Sequence, residues 1–181
     1  PPPYPGRPDQ VIRLFEWCWD HRSIIEYEEI FTEDFLFEFA ATDTAGNAFR
    51  GRALTRFDEI ETTRHLFVGG GTSPPANSIT LQLDQNLIPG PDSRPGKEDT
   101  TYFQQIVTQV TLRIDTDEED FQVTGQARFF LVRGDSALIP AELVARGFGP
   151  GRLLRAPRLS GGRALPPAAR ARGGRRDPPG R

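Results

Sequence analysis

Cysteine, methionine and histidine are the residues that this sequence most lacks. Its 181 residues include one cysteine, Cys18, two histidines and no methionine. A single cysteine excludes an internal disulfide framework and a cysteine-based metal cluster. A metal site needs several His, Cys or clustered carboxylate ligands, so we expect no metal. The glycine-rich segment 69–71 lacks the lysine and the strand–helix context of a phosphate loop, and we expect no cofactor.

Long apolar runs are also missing. No stretch approaches the roughly 20 apolar residues that a membrane helix needs, and no charged-then-apolar signal peptide opens the chain. We therefore expect a soluble, cytoplasmic domain with no membrane partner. Because the chain begins at Pro1 and contains no methionine, we also expect a processed or trimmed product.

The net charge of −3 conceals two differently charged parts. Residues 1–151 are strongly acidic, which argues against nucleic acid as the partner of this body. The segment 151–181 is rich in Arg, Gly, Pro and Ala, has no aromatic residue, and is expected to be a disordered basic tail. Two interpretations of the tail stay open. It is either a basic arm that binds nucleic acid through phosphates or an out-of-frame (frame-shift) extension, which we favour.

One domain is predicted over residues 8–150, after a disordered Pro-rich leader over residues 1–7. The leader contains the PPxY pattern that WW domains bind, but we favour a simple terminal segment. Helix 1 is expected to begin near Pro8, because apolar residues follow at helical spacing. Ser23 and Glu26 predict a capping box for a second helix over 24–31. A third helix, 53–65, is expected to turn Phe57 inward.

Alternation of apolar and polar residues predicts the strands. Phe35, Phe37 and Phe39 share one face of the first strand, and longer strands are expected over 79–87, 102–114 and 121–132. The segment 102–114 has the longest clean alternation, so we expect it at the centre of a curved antiparallel sheet. Gly125 predicts a bulge in the strand 121–132.

This order of helices and strands resembles the NTF2-like superfamily, in its SnoaL-like branch. The resemblance is carried by the aromatic stripe of helix 1, the segment 31–39, Gly51-Arg52 before helix 3, and the segment 63–66. It implies an α+β cone over residues 8–150, in which a curved antiparallel sheet wraps the N-terminal helices around an apolar pocket. The family normally ends on one more aromatic strand. None is recognisable here, so the strand 121–132 is expected to be an unpaired edge.

The superfamily includes ketosteroid isomerase-like enzymes, dehydratase-like enzymes and non-catalytic binders. Isomerase-like members carry a Tyr in helix 1 and an Asp at the end of the first strand, where this chain has Phe15 and Phe39. Neither phenylalanine can transfer a proton. Dehydratase-like members pair an Asp at the end of helix 1 with a His before the second strand, and Asp20 and His65 match those places.

In a dry pocket, Asp20 would orient one nitrogen of His65, and the other nitrogen would remove a proton from carbon. The alternatives are a helix-end acid for Asp20 and a partly buried histidine with satisfied hydrogen bonds for His65. Arg128 is expected on the outer face of the sheet, with an anion clamp as its alternative.

Aromatic side chains supply the predicted ligand site. The expected lining for a flat apolar ligand is Trp17, Trp19, Tyr27, Phe37, Tyr102 and Phe129, although core packing would also explain most of these residues. The sequence therefore predicts a binder of a small, mostly apolar molecule, with cofactor-free lyase or isomerase chemistry by His65 and Asp20. The alternative is a non-catalytic interaction module that forms a homodimer through its sheet.

Overall fold

The computed structural model describes residues 1–40 and 52–134, together with the backbone of residues 155–160. The helices are α1 (Pro8–His21), α2 (Ile24–Ile30) and α3 (Arg56–Val68). The strands are β1 (Leu36–Phe39), β2 (Leu54–Thr55), β3 (Ser78–Leu83), β4 (Pro89–Pro91), β5 (Phe103–Asp115), β6 (Asp120–Val132) and β7 (Arg155–Ser160). Residues 41–51, 135–154 and 161–181 lie outside the described part of the chain; they include Gly51 before helix 3 and most of the predicted basic tail.

The strands form one sheet in the order β2-β1-β7-β6-β5-β3, with β4 also paired to β5. The hairpin of β5 and β6 lies inside the sheet, between β7 and β3, and its ladder runs without interruption from Phe103↔Val132 to Asp115↔Asp120. The predicted long strand is therefore an interior strand, although it lies nearer to one edge than to the centre. The predicted bulge at Gly125 is wrong, because Gly125 pairs in register with Val110. One pair, β1 with β7, is parallel, so the sheet is mixed rather than purely antiparallel.

The final strand that the sequence seemed to lack is present. β7 pairs antiparallel with β6 through residues 126–130 and parallel with β1 through residues 38–39. The expectation that β6 would be an unpaired edge is therefore wrong. The segment 155–160 contains proline and arginine and no aromatic residue, so its composition gave no strand signal. Its pairing comes from the free edges that β6 and β1 offer.

The helix ends differ from the predictions in two places. The side chain of Ser23 makes no hydrogen bond to the backbone of α2; its hydroxyl donates to the Glu26 carboxylate instead, so the predicted capping box is absent. A capping box forms instead at the start of α3, where Thr55 and Asp58 bond to each other's backbone N–H groups. Since α3 begins only at Arg56, the predicted inward residue Phe57 is 72% exposed.

The main core lies between the three helices and the inner face of the sheet. Alternation along the hairpin of β5 and β6 directs one set of side chains inward, as expected for strands covered on one face. The inward residues of β5 and β6 that join this core are Ile106, Val110, Ile114, Ala127, Phe129 and Leu131. The helices contribute Val11, Ile12, Leu14, Phe15, Cys18, Trp19, Tyr27, Ile30, Ile60 and Phe67.

The outer face of the sheet carries a separate, smaller apolar cluster under the segment 92–102. Arg94 lies 4.1 Å above the ring of Phe130, and Lys97 lies 4.3 Å above the ring of Phe103. The carboxylate of Asp92 is buried and receives both the Arg94 guanidinium and the Arg94 backbone N–H, which fixes the start of this segment. The segment 92–102 therefore covers one end of the outer face.

Helix α1 covers the outward edge of β3. Strand β3 pairs with β5 on one side only, so its other row of backbone groups needs partners. Glu16 Oε1 accepts from Leu83 N–H at 2.9 Å, and Asp20 Oδ1 accepts from Leu81 N–H at 3.0 Å. Four helical residues advance about 6 Å and two strand residues about 6.7 Å, so carboxylates at i and i+4 match alternate strand amides.

We predict that Glu16→Ala lowers the free energy of unfolding by about 1–2 kcal/mol, since Leu83 N–H loses a charged acceptor and Arg13 loses its ion pair with Glu16. Urea unfolding measures the effect. The control is Glu29→Ala on exposed α2 surface, which we expect to stay within about 0.5 kcal/mol of wild type. Equal losses in the two variants would show that Glu16 does not support the β3 edge.

Candidate functional site

Tyr27 is the centre of the aromatic core. Its side chain is fully buried, and its ring centroid lies 4.8 Å from that of Phe31, 5.6 Å from Phe15, 5.8 Å from Phe67 and 6.0 Å from Trp19. These distances are those of favourable offset and edge-to-face ring pairs. The three helices therefore meet at one tyrosine, whose hydroxyl group must find a partner inside an apolar environment.

That partner is Glu59, on α3. The Tyr27 hydroxyl donates to Glu59 Oε1 at 2.6 Å. Burial raises the pKa of Glu59, and the hydrogen bond from Tyr27 opposes this effect only in part. Burial also raises the pKa of Tyr27 well above its ordinary value, and the Glu59 charge adds to the shift. A phenol and a carboxyl group thus share one hydrogen bond in a place that disfavours charge on either.

Two further polar side chains influence the same phenol group. Thr63 and Trp19 both act to lower the pKa of Tyr27, against the larger effect of burial. Thr63 is 2% exposed and lies one helical turn beyond Glu59. Trp19 Nε1 is buried and has no partner at hydrogen-bond geometry. We call Trp19, Tyr27, Glu59 and Thr63 the polar cluster.

The structure brings most of the predicted ligand-lining residues together. Trp19, Tyr27, Phe37 and Phe129 all belong to the main core, and Phe129 lies edge-on to Phe15 at 5.3 Å. Trp17 is partly buried against the core and stacks on His21, with ring centroids 4.2 Å apart.

Tyr102 is the exception. The strand β5 begins after it, and its ring packs with Phe103 and Val132 in the cluster under segment 92–102. The sequence assigned Tyr102 to the inner face by extending the alternation one residue too far. Arg128 lies on the outer face as predicted, where its Nη1 donates to Ser93 Oγ at 3.4 Å.

Asp20 and His65 lie at the same end of the fold. Trp19 beside Asp20 contacts Phe67, near the end of α3, with ring centroids 5.4 Å apart. Both Asp20 and His65 are exposed, and no hydrogen bond joins them in the described part of the chain. Asp20 binds the β3 edge, and the His65 ring lies against Gly70, where a Cβ would stand 2.5 Å from His65 Cδ2. Neither side chain occupies the dry pocket that the sequence interpretation assumed.

Glu59 and Thr63 were not recognised from the sequence. Their signal was present, because Glu59 stands at i, one turn before the buried Thr63 at i+4 and Phe67 at i+8, on the same side of α3. Two polar residues that share a helix face with core residues can indicate a functional site. It went unnoticed because the predicted start of α3 placed Phe57, rather than Glu59, on the inward face.

Other parts of the described chain have fewer groups that could bind a ligand or react. Burial raises the pKa of the Cys18 thiol to about 12, so this cysteine stays protonated. A cleft of about 400 Å³ lies between the start of α1 and residues 85–88, but its Arg13 is committed to Glu16 and to the carbonyl groups of Asp84 and Gln85. Within residues 1–40 and 52–134, no group of three His, Cys, Asp or Glu side chains could hold a metal ion. No helix in these ranges is long and apolar enough to span a membrane.

The raised pKa of Glu59 makes a testable contribution to stability. A carboxyl whose pKa is higher in the folded than in the unfolded state destabilises the fold as pH rises above the ordinary value of 4.5. We therefore predict that Glu59→Gln, which keeps an acceptor for Tyr27, gains stability relative to wild type as pH rises from about 4.5 to 7. Thermal melts across this range measure the difference. The control variant Glu29→Gln, at an exposed position, should show no such trend, and a pH-independent difference for Glu59→Gln would contradict the assignment.

No family model and no curated protein matches this chain, but solved structures do. A scytalone dehydratase-like protein from Novosphingobium aromaticivorans aligns with 83% of this chain and 78% of its own length, at 12% identity and a TM-score of 0.52. AusH from Aspergillus nidulans aligns with 87% of this chain and 86% of its own, at 11% identity and a TM-score of 0.46. Rv0760c from Mycobacterium tuberculosis, solved in complex with estradiol-17β-hemisuccinate, aligns with 82% of this chain and 88% of its own, at 14% identity and a TM-score of 0.43.

At 12% identity, the similarity to the scytalone dehydratase-like protein shows a shared fold and does not show a shared activity. It agrees with the architecture described above, in which three helices pack on the inner face of a largely antiparallel sheet that closes with a late strand. The predicted α+β cone is thus confirmed as the fold of this chain.

Proposed function

We propose that this protein binds a small, mostly apolar molecule in the interior between its helices and its sheet. The observation that carries the proposal is the composition of that interior, where aromatic rings from α1, α2, α3 and β6 surround the polar cluster. Ligand sites in proteins combine an apolar lining with a few converging polar groups in this way. Burying polar groups in an apolar interior costs free energy, and a role in ligand binding would account for that cost here.

Binding should be visible as stabilisation of the folded state. We expect one class in a panel of steroids, polyketide-like aromatics and terpenoids to raise the melting temperature, since a ligand at 100 times its Kd adds about 2.7 kcal/mol. Phe129→Leu should weaken the shift because it alters the interior, whereas the exposed Phe57→Leu should leave it unchanged. A melt that no ligand class shifts would overturn the proposal.

Acid–base catalysis by His65 with Asp20 is a second candidate, which we infer from their position at one end of the fold. The supporting contact is that of Trp19 with Phe67, which places the ends of α1 and α3 together. The reaction would be elimination of water from an activated alcohol. Because both residues are exposed, a bound substrate would have to shield them from water.

The dehydratase named among the structural neighbours provides the first substrate to test. If His65 is the base, His65→Ala should lower the rate of scytalone dehydration by at least about 100-fold. His21→Ala, which removes the other histidine at the end of α1, should leave the rate unchanged. No turnover by wild type, or equal effects of the two variants, would eliminate this candidate while leaving ligand binding intact.

The alternative of a non-catalytic module that dimerises through its sheet has less support from the geometry. The apolar end of the outer face is already covered by segment 92–102. The exposed remainder on β5 and β6 is polar apart from Val107, which is 38% exposed. Homodimer interfaces usually have a more apolar centre than this.

A further inference from the structure

The Pro-rich leader, residues 1–7, lies outside both apolar clusters of the described chain. Helix α1 begins at Pro8, and no residue of the leader belongs to the main core or to the cluster under segment 92–102. The prolines at positions 2, 3 and 5 have no amide hydrogen with which to join a strand. A backbone hydrogen bond from Gly6 N–H to the Tyr4 carbonyl, at 3.0 Å, stays within the leader. The packing of the fold therefore does not rely on this segment.

The prolines restrict the leader to an extended backbone. Each proline ring fixes φ at about −65°, and the residue before a proline is kept out of the helical region. Residues 1, 2, 4 and 7 each stand before a proline, and Arg7 accordingly has a φ of −139° and a ψ of 157°. A chain restricted in this way resembles a polyproline II helix, whose backbone has no internal hydrogen bonds. A partner can bind such a segment with a small loss of conformational entropy.

Tyr4 is the most exposed large apolar side chain in the described part of the chain. It is 82% exposed, compared with 76% for Ile88 and 72% for Phe57. Its ring lies against Gly6, where a Cβ would stand 2.8 Å from Tyr4 Cε1. The leader backbone thus supports one edge of the ring and leaves the rest in water. A tyrosine presents a large apolar area and a hydroxyl group at a low cost in side-chain entropy, which suits it to a protein interface.

The charged side chain of the leader is already paired within the chain. Arg7 Nε donates to Asp9 Oδ1 at 3.1 Å, and Arg7 Nη2 donates to Asp9 Oδ2 at 2.7 Å. This bidentate pair satisfies the guanidinium next to the prolines. Recognition of the leader would therefore depend on its rings rather than on its charge. This favours a groove lined by aromatic side chains over an acidic pocket or a phosphate surface.

We propose that the leader docks on a WW domain of a partner protein through residues 1–4, which form the PPxY pattern. The sequence interpretation favoured a simple terminal segment, which gives Tyr4 no role. Packing of Tyr4 on the domain would have withdrawn the pattern from any partner. The structure instead leaves it exposed and in the extended form that aromatic-lined grooves bind. The docking uses neither the polar cluster nor His65 and Asp20, so it is independent of the proposed ligand binding.

Titration of the full chain into isolated WW domains of the PPxY-binding class tests the inference. We expect saturable binding of wild type by calorimetry and at least about tenfold weaker binding of Tyr4→Ala, as for an anchor residue of an interface. Phe57→Ala, which removes another exposed ring, should bind as wild type does. Because both side chains are exposed, both variants should melt at the wild-type temperature, which separates lost docking from lost folding.

A second probe distinguishes two kinds of groove that bind extended prolines. An SH3 domain would use the PxxP spacing of Pro2 and Pro5. We expect Pro5→Ala to keep its affinity for the WW domain, because Pro5 lies outside the PPxY pattern. The inference would be overturned by SH3 binding at least as tight as WW binding, by equal WW affinity of wild type and Tyr4→Ala, or by no WW binding of wild type. None of these results bears on the ligand binding proposed above.

Discussion

The ladder between β5 and β6 is the constraint on which the other elements depend. Its thirteen-residue strands pair without a bulge, so inward and outward positions are assigned along the whole hairpin at once. A slip of one residue would exchange the faces, placing Phe129 outside and Arg128 in the core. With the register fixed, the inner face receives the helices, and the outer face receives segment 92–102. The aromatic interior and the small outer cluster are two consequences of one pairing.

The backbone N–H and C=O groups along the free edges of such a sheet also need hydrogen-bond partners, and the chain supplies them in two ways. β7 fills the space between β6 and β1, while α1 places the carboxylates of Glu16 and Asp20 on the free amides of β3. Charged groups along an edge also oppose pairing with a second chain. This arrangement gives Asp20 a structural role that is independent of any reaction. One of its oxygens accepts from Leu81 N–H, which fixes the orientation of the carboxylate at the β3 edge.

The sequence predicted those parts of the fold whose signal is periodic and long. The bounds of helix α1 and of strands β5 and β6 were predicted to within about a residue, because many apolar positions in each segment indicate the same buried face. Short elements carry few such positions. The capping box expected at Ser23 is absent because the Ser23 hydroxyl binds a nearby carboxylate. Strand β7 was missed because its pairing depends on the neighbouring strands rather than on its own composition. At the site, most of the aromatic residues were predicted, whereas Glu59 and Thr63 were missed despite their helical spacing, since an acid on a helix is normally assigned to the solvent-facing side.

The two candidate sites differ in the property that matters most for chemistry, which is access to water. His65 and Asp20 are exposed, so charge on either is solvated and costs little, but water competes for every proton they would move. The polar cluster is shielded by aromatic rings, and its groups resist charge. Replacing such a cluster with well-packed apolar residues would often leave a protein equally or more stable, so stability alone does not account for it. The ligand binding that we propose would give the cluster a role, because a carboxyl group that resists charge in an aromatic interior also disfavours a charged ligand beside it.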